Sequence, residues 1–171
     1  MAETLKVALV CGNPKANSRT LGVAQEVGRA IATHLGRTTT VTTIDLAPVG
    51  PQLFDWSSTS VKDLVVALSG VDVAIVASPT YKATYTGLLK SFLDWFGQTG
   101  LAGVVAVPVM VGGSPVHALA PEVFLRPLLV EIGASVATRG LFVLESQLEE
   151  LDPVIAGWLD GAGPILSRLF D

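Results

Sequence analysis

Lys6-Val7-Ala8-Leu9-Val10-Cys11 runs directly into Gly12-Asn13-Pro14-Lys15-Ala16-Asn17-Ser18-Arg19-Thr20. Beyond that loop Leu21, Ala24, Val27, Ile31 and Leu35 recur at helical spacing. The apolar run lacks the alternation of a half-exposed strand. It suits a strand buried on both faces, as in a parallel sheet covered by helices. The stripe that follows gives a helix one apolar face and leaves Glu26 and Arg29 off it. Strand, polar loop and helix form the opening unit, and the rest of the chain repeats its texture. Unalternated apolar runs recur at 71–77, 103–111 and 136–143, the last interrupted by Arg139. Residues 41–46 alternate with polar side chains and fit a sheet edge.

Four further helices lie between and after these runs. Val61, Leu64, Val65 and Leu68 mark one, and Leu88, Leu89, Phe92, Leu93 and Phe96 another. Residues 123–132 give the next, and Leu148, Leu151, Ile155, Trp158 and Leu159 the last. Pro153 behind Asp152 suits a first turn. Pro164, with glycines around it, is expected to kink or break that helix. Five strand–helix alternations predict an α/β fold. Its sheet is open, doubly wound, parallel and five-stranded in the order 2-1-3-4-5, with residues 1–171 as one domain.

Composition narrows the function. The chain has 171 residues, 50% of them hydrophobic and 15% charged, which permits a real core and excludes a disordered chain. A net charge of −4 without a basic stripe argues against a nucleic-acid partner. The single cysteine, Cys11, excludes a disulfide framework and any CxxC metal or redox pair, and it reads as a small buried hydrophobe. The apolar stretch 101–111 is far shorter than the roughly 20 residues of a membrane helix. The run at 7–11 is too short for a secretory signal, so no membrane association and a cytoplasmic location are expected.

In a sheet of this order, ligands bind beyond the carboxyl ends of strands 1, 3 and 4. Function therefore belongs in three loops, 12–20, 78–87 and 112–117. The first has neither G-x-G-x-x-G nor G-K-[ST], which disfavours a nicotinamide Rossmann site and a nucleoside triphosphatase. It does open a helix, whose free N–H groups and positive end suit an anion. Asn17, Ser18 and Thr20 add short donors, and Arg19 adds a fork that can engage a phosphate bidentately. The same residues also read as an ordinary capped helix start. Their place after the first strand favours the phosphate.

The second loop, Ser78-Pro79-Thr80-Tyr81-Lys82-Ala83-Thr84-Tyr85-Thr86-Gly87, offers aromatic faces and backbone amides to a flat heterocycle. Alternatively, Tyr81 and Tyr85 only pack the helix start. The third, Gly112-Gly113-Ser114-Pro115-Val116-His117, has paired glycines that allow close backbone approach. Its His117 reads as a ligand contact or as a helix cap. No Ser-His-Asp arrangement, H-E-x-x-H motif or paired carboxylate stands near these loops. No catalytic side chain and no metal site are expected, which suits chemistry carried by a bound cofactor. Asp94, on an apolar helix, reads as a cap or interface contact.

Residues 14–20, the segment Ala77 through Lys90, and Gly112-Gly113-Ser114-Pro115-Val116-His117 resemble the NADPH-dependent FMN reductase family. The likeness is greatest to the flavin reductases that serve two-component monooxygenases of the alkanesulfonate and EDTA type. It extends from about Lys6 to Gln147. The resemblance implies a flavodoxin-like fold binding FMN in the three loops. Asn13, Asn17, Ser18, Arg19 and Thr20 would hold the phosphate end. Pro79, Thr80, Tyr81, Lys82 and Thr84 would line the flavin and ribityl chain, and Gly112, Gly113, Ser114 and His117 would approach the isoalloxazine edge. It further implies NADPH or NADH as hydride donor, a partner oxygenase that receives reduced flavin, and a homo-dimer or homo-tetramer.

One position departs from the pattern. Relatives carry a tyrosine or histidine in the interface helix a few residues after His117, associated with tetramer packing and with flavin passing as a substrate. This chain has Val123 there, then Phe124. A reductase with prosthetic FMN acting on quinones, azo dyes or metals therefore stands as the alternative. Lys82 and Arg126 are candidate cations for a nicotinamide 2′-phosphate. A flavodoxin-type electron carrier fits poorly with a net charge of only −4 and with Arg19 in the loop. A non-catalytic domain docking a partner through exposed apolar residues such as Trp95 is the remaining reading.

Overall fold

The computed structural model describes residues 4–170; Met1–Glu3 and Asp171, the ends of the expected domain, lie outside the described residues. Five parallel strands form one sheet. They are β1 (Leu5–Cys11), β2 (Thr39–Asp45), β3 (Val73–Pro79), β4 (Val105–Gly112) and β5 (Leu141–Leu144), in the order β2-β1-β3-β4-β5. Val7 pairs with Val41 on one side and Val73 on the other, and Val109 pairs with Leu141. The helices are α1 (Arg19–Leu35), α2 (Thr59–Ser69), α3 (Gly87–Leu93), α4 (Arg126–Glu131) and α5 (Leu151–Phe170).

Every residue of β3 and β4 is buried, as unalternated apolar runs require, while β2 exposes Thr40, Val41 and Thr43 at the edge. Alternate residues of each central strand feed two cores. Leu9, Ile75 and Val107 pack under α1 and α5 with Val27, Ile31, Ile155 and Leu166. Val10, Val76 and Met110 pack under α2, α3 and α4 with Leu68, Phe92 and Leu129. The two helix layers hold the sheet so that β1, β3 and β4 all end on one side.

Three expectations are corrected. Pro164 does not break the last helix: α5 is continuous for 20 residues. Ile155, Ala162, Gly163 and Leu166 bury its inner face, and Gly163 packs so close to His34 that a Cβ there would lie 2.5 Å from the ring. Burial of that face overrides the hydrogen bond that proline removes. The last strand is only four residues long rather than eight. The Arg126 guanidinium donates to the carbonyls of Val136 and Thr138, and the Glu122 carboxylate accepts from Gly140 N–H. Side chains thus take the backbone groups that a longer β5 would have paired with β4. Trp95, finally, is half-buried: its Nε1–H donates to Leu53 O at 2.9 Å and its ring sits 4.7 Å from that of Trp56. It is engaged within the chain rather than presented as an exposed apolar residue.

A candidate flavin-phosphate site

Cys11 ends β1, and its thiol touches the Ser18 hydroxyl at 3.4 Å. Burial pushes the Cys11 thiol pKa up, so the thiol is a packing group. Ser18 caps α1: its side chain accepts from Leu21 N–H at 3.3 Å. Ahead of it, Asn17 adopts φ 51°, a left-handed conformation that asparagine tolerates, and its N–H donates to Asp45 Oδ2 at 2.9 Å. The Asn13 side chain closes the loop, donating to Thr20 Oγ1 at 3.0 Å and accepting from Lys15 N–H. The loop is tied down from several sides, and the first turn of a 17-residue helix opens beside it.

A cavity of about 290 Å³ lies against this turn. Asn13, Lys15, Asn17, Ser18, Arg19 and Thr20 form one side of it, and Pro79, Tyr81, Val111, Glu145 and Leu148 the other. All five residues expected at the phosphate end are thus brought together, with Pro79 and Tyr81 from the second loop. A larger groove of about 640 Å³ adjoins it and shares Arg19, Glu145 and Leu148. Glu26, Glu145 and Glu149 line that groove, a charge pattern that repels an anion.

The other expected residues stand around the cavity without lining it. Tyr81 N–H donates to Thr84 O at 2.8 Å and Thr84 N–H to Tyr81 O at 3.2 Å. Lys82 at φ 52° and Ala83 at φ 72° fill the two central positions, so this is a type I′ turn without glycine. Ser114 caps a short turn at Pro115–His117, and His117 closes it, half-buried. Thr80 sits beside Gly112. Its hydroxyl is buried with no hydrogen-bond partner, and a Cβ on Gly112 would lie 3.1 Å from it and 2.8 Å from Phe142 Cζ. Gly113 has open space around it. A buried orphan hydroxyl, a glycine with no room for a side chain and a second one facing open space fit a polar, flat ligand edge.

Four residues here were not named as site residues, although Lys15, Ser78 and Thr86 lie within the loops singled out by sequence. Thr86 caps α3, and its hydroxyl donates to Gly12 O at 2.6 Å, fastening the end of β1 to the second loop. Ser78 accepts from Thr86 N–H at 3.0 Å. Lys15 and Glu145 line the cavity itself. Glu145 follows directly on β5, so extending the carboxyl-end rule to the fifth strand would have found it. Arg126, a candidate for a nicotinamide 2′-phosphate, is corrected. Its guanidinium is engaged by Glu122, Val136 O and Thr138 O. Asp94 ends α3 and pairs with Lys90.

Among the described residues, no group of three or more His, Cys, Asp or Glu is placed to hold a metal ion, and no helix is long and apolar enough to cross a membrane.

A parallel sheet in this order, with an anion-suited helix start after β1, defines a flavodoxin-like nucleotide-binding protein. The chain belongs to the NADPH-dependent FMN reductase family, whose model matches residues 5–149. It is 31% identical over 142 residues to the NADH-dependent FMN reductase SfnF of Pseudomonas putida, covering 81% of this chain and 76% of that one. It is 37% identical over 93 residues to the FMN reductase (NADPH) of Escherichia coli K12, a match covering 54% of this chain and 49% of that one. The chain thus spans only about half the length of that relative. Among solved structures, the apo form of the NADH:FMN oxidoreductase EMOB superposes with a TM-score of 0.85 at 33% identity, covering 98% and 91% of the two chains.

Proposed function

We propose that this chain, as a single domain, is an NAD(P)H-dependent FMN reductase that supplies reduced flavin to a partner monooxygenase. The observation that carries the reading is the cavity at the first turn of α1. There Asn17, Ser18, Arg19 and Thr20 converge with Lys15, Pro79 and Tyr81 at the carboxyl ends of β1 and β3. Arg19 and Lys15 supply the positive charge for the phosphate, with Asn13 holding the loop. Thr80, Tyr81, Lys82 and Thr84 shape the wall for the ribityl chain and ring, and Gly112, Gly113, Ser114 and His117 border the ring edge. Bound FMN would supply the two-electron acceptor for hydride from NADH or NADPH. The protein's part is binding and orientation, which requires no side-chain acid or base.

The relatives named as NADH- or NADPH-dependent FMN reductases support this chemistry. The oxygenase partner is what the resemblance to the flavin reductases of two-component monooxygenases implies. Val116, Leu119, Val123, Phe124 and Val130 form an exposed apolar set around α4. We assign that face to a homo-dimer or homo-tetramer, in the cytoplasm. Val123 stands in a π-helical segment (Pro121–Leu125), which ends just before Pro127. A proline there has no N–H to give the carbonyl four residues back, and a wider turn accommodates this. The second reading, prosthetic FMN serving a quinone or azo acceptor, rests on that valine where relatives carry an aromatic.

The test is NADH and NADPH oxidation by purified protein, with and without added FMN, then with a quinone. Saturable dependence on free FMN is expected. Copurifying flavin that turns over only with the quinone would replace this reading with the second.

A further inference from the structure

We propose that Glu145 is an electrostatic brake on FMN binding: its carboxylate occupies Arg19 and faces the phosphate, keeping the flavin loosely held and exchangeable. This rests on the reading of the cavity as the phosphate site. Arg19 Nη2 lies 3.7 Å from Glu145 Oε2, and both residues line the cavity. The two side chains are 71% and 55% exposed, so the pair is weak and Arg19 is free to turn to an arriving phosphate. When it does, Glu145 stays on the rim as an uncompensated like charge.

The other carboxylate nearby plays a different part. Asp45 accepts from Asn17 N–H at 2.9 Å and from Ala47 N–H at 3.3 Å, so it builds the loop. Glu145 accepts no comparable bond. Its charge can therefore be removed without dismantling the site. The cations on the cavity are Lys15 and Arg19, and Glu145 is the acidic residue that lines it. One carboxylate thus offsets half of the local positive charge.

Like charges about 5 Å apart at the dielectric of water change an equilibrium about fourfold per charge pair. A phosphate carries nearly two charges, and physiological salt screens part of the effect. Glu145→Gln is therefore expected to tighten FMN binding about fivefold to tenfold. Riboflavin, which has the same ring and ribityl chain without the phosphate, should bind unchanged. A brake of this kind suits a protein that must release its flavin to a partner.

The experiment is calorimetric titration of FMN and of riboflavin into the flavin-free wild type, Glu145→Gln and Arg19→Ala, at low and at high salt. The proposal expects tighter FMN binding in Glu145→Gln, a gain that shrinks in high salt, and no change for riboflavin. It is overturned if Glu145→Gln leaves FMN affinity unchanged or weakens it, or if riboflavin tightens equally. A wild type that prefers FMN to riboflavin, with that preference lost in Arg19→Ala, keeps the phosphate site even if the brake fails. A wild type that binds both flavins alike removes the phosphate site and the brake with it.

Discussion

The turn at Lys82 and Ala83 stores strain at the edge of the proposed flavin site, and relieving it should stabilise the protein. Both residues have positive φ, 52° and 72°, and neither is glycine. The two reciprocal bonds between Tyr81 and Thr84 hold them there. A left-handed conformation costs an ordinary L-residue about 1–2 kcal/mol. Ala83→Gly removes that cost, and the added freedom of the unfolded chain takes back about 0.4–1 kcal/mol. The net gain is about 0.5–1 kcal/mol, or roughly 1–4 °C in Tm for a chain of this size. Thermal unfolding of the flavin-free protein, followed by circular dichroism, measures it. Ala83→Val should shift Tm downward, because a β-branched residue fits positive φ worst. FMN affinity should fall about twofold to fivefold in Ala83→Gly, since a looser turn must be ordered on binding. If Ala83→Gly is no more stable than wild type while Ala83→Val is neutral, the turn does not hold this conformation in solution and the strain argument fails.

Three further outcomes are expected. Gly112→Ala places a Cβ 2.8 Å from Phe142 Cζ and crowds Thr80, so it should cost about 1–3 kcal/mol in urea unfolding and weaken FMN binding. Hydrogen bonds from Arg126, and then from Gly140 N–H, hold the Glu122 carboxyl below its usual pKa. Its stabilisation is thus complete above the unfolded carboxylate range near pH ~4 and is lost as pH falls through the lower folded value. Glu122→Gln should accordingly cost about 1.5–3 kcal/mol at neutral pH and progressively less in acid, read from urea midpoints across pH. Pro164→Ala restores a helix donor and should add about 2 kcal/mol, from the ~3 kcal/mol interior-proline penalty less the unfolded-state term. An unchanged Tm would show that α5 already accommodates the ring.

What the sequence discloses here is what periodicity and loop chemistry encode. The run at Lys6–Cys11 and its counterparts lack alternation because β1, β3 and β4 are almost wholly buried, and the regular alternation of strand and helix then leads to the parallel sheet and its order. The loop after β1 is legible because its members are nearly contiguous: Asn13, Asn17, Ser18, Arg19 and Thr20 reach one cavity through local geometry. The failures are long-range. The true length of β5 depends on Arg126 and Glu122, and nothing within 136–140 announces that its carbonyls are taken from another helix. The continuity of α5 through Pro164 goes with burial of Ile155, Ala162, Gly163 and Leu166 against partners far away in the chain, His34 beside Gly163 among them. The loops carrying Thr80, Lys82, Thr84, Ser114 and His117 do follow β3 and β4, but sequence gives no means of telling which side chains line the cavity.

Those long-range contacts also shape the proposed site. By taking the carbonyls of Val136 and Thr138, Arg126 delays the start of β5 until Leu141, where Val109 pairs with it. The strand then runs only to Leu144, opposite Gly112, and the next residue is Glu145. A strand shifted by one residue would turn its side chains to the opposite face. The carboxylate would then leave Arg19. The Arg126–Glu122 pair is therefore expected to help fix where the chain enters β5, and with it Glu145 on the rim of a cavity the pair does not line. Removing Arg126 should alter FMN affinity as well as stability, which a purely local structural pair would not do.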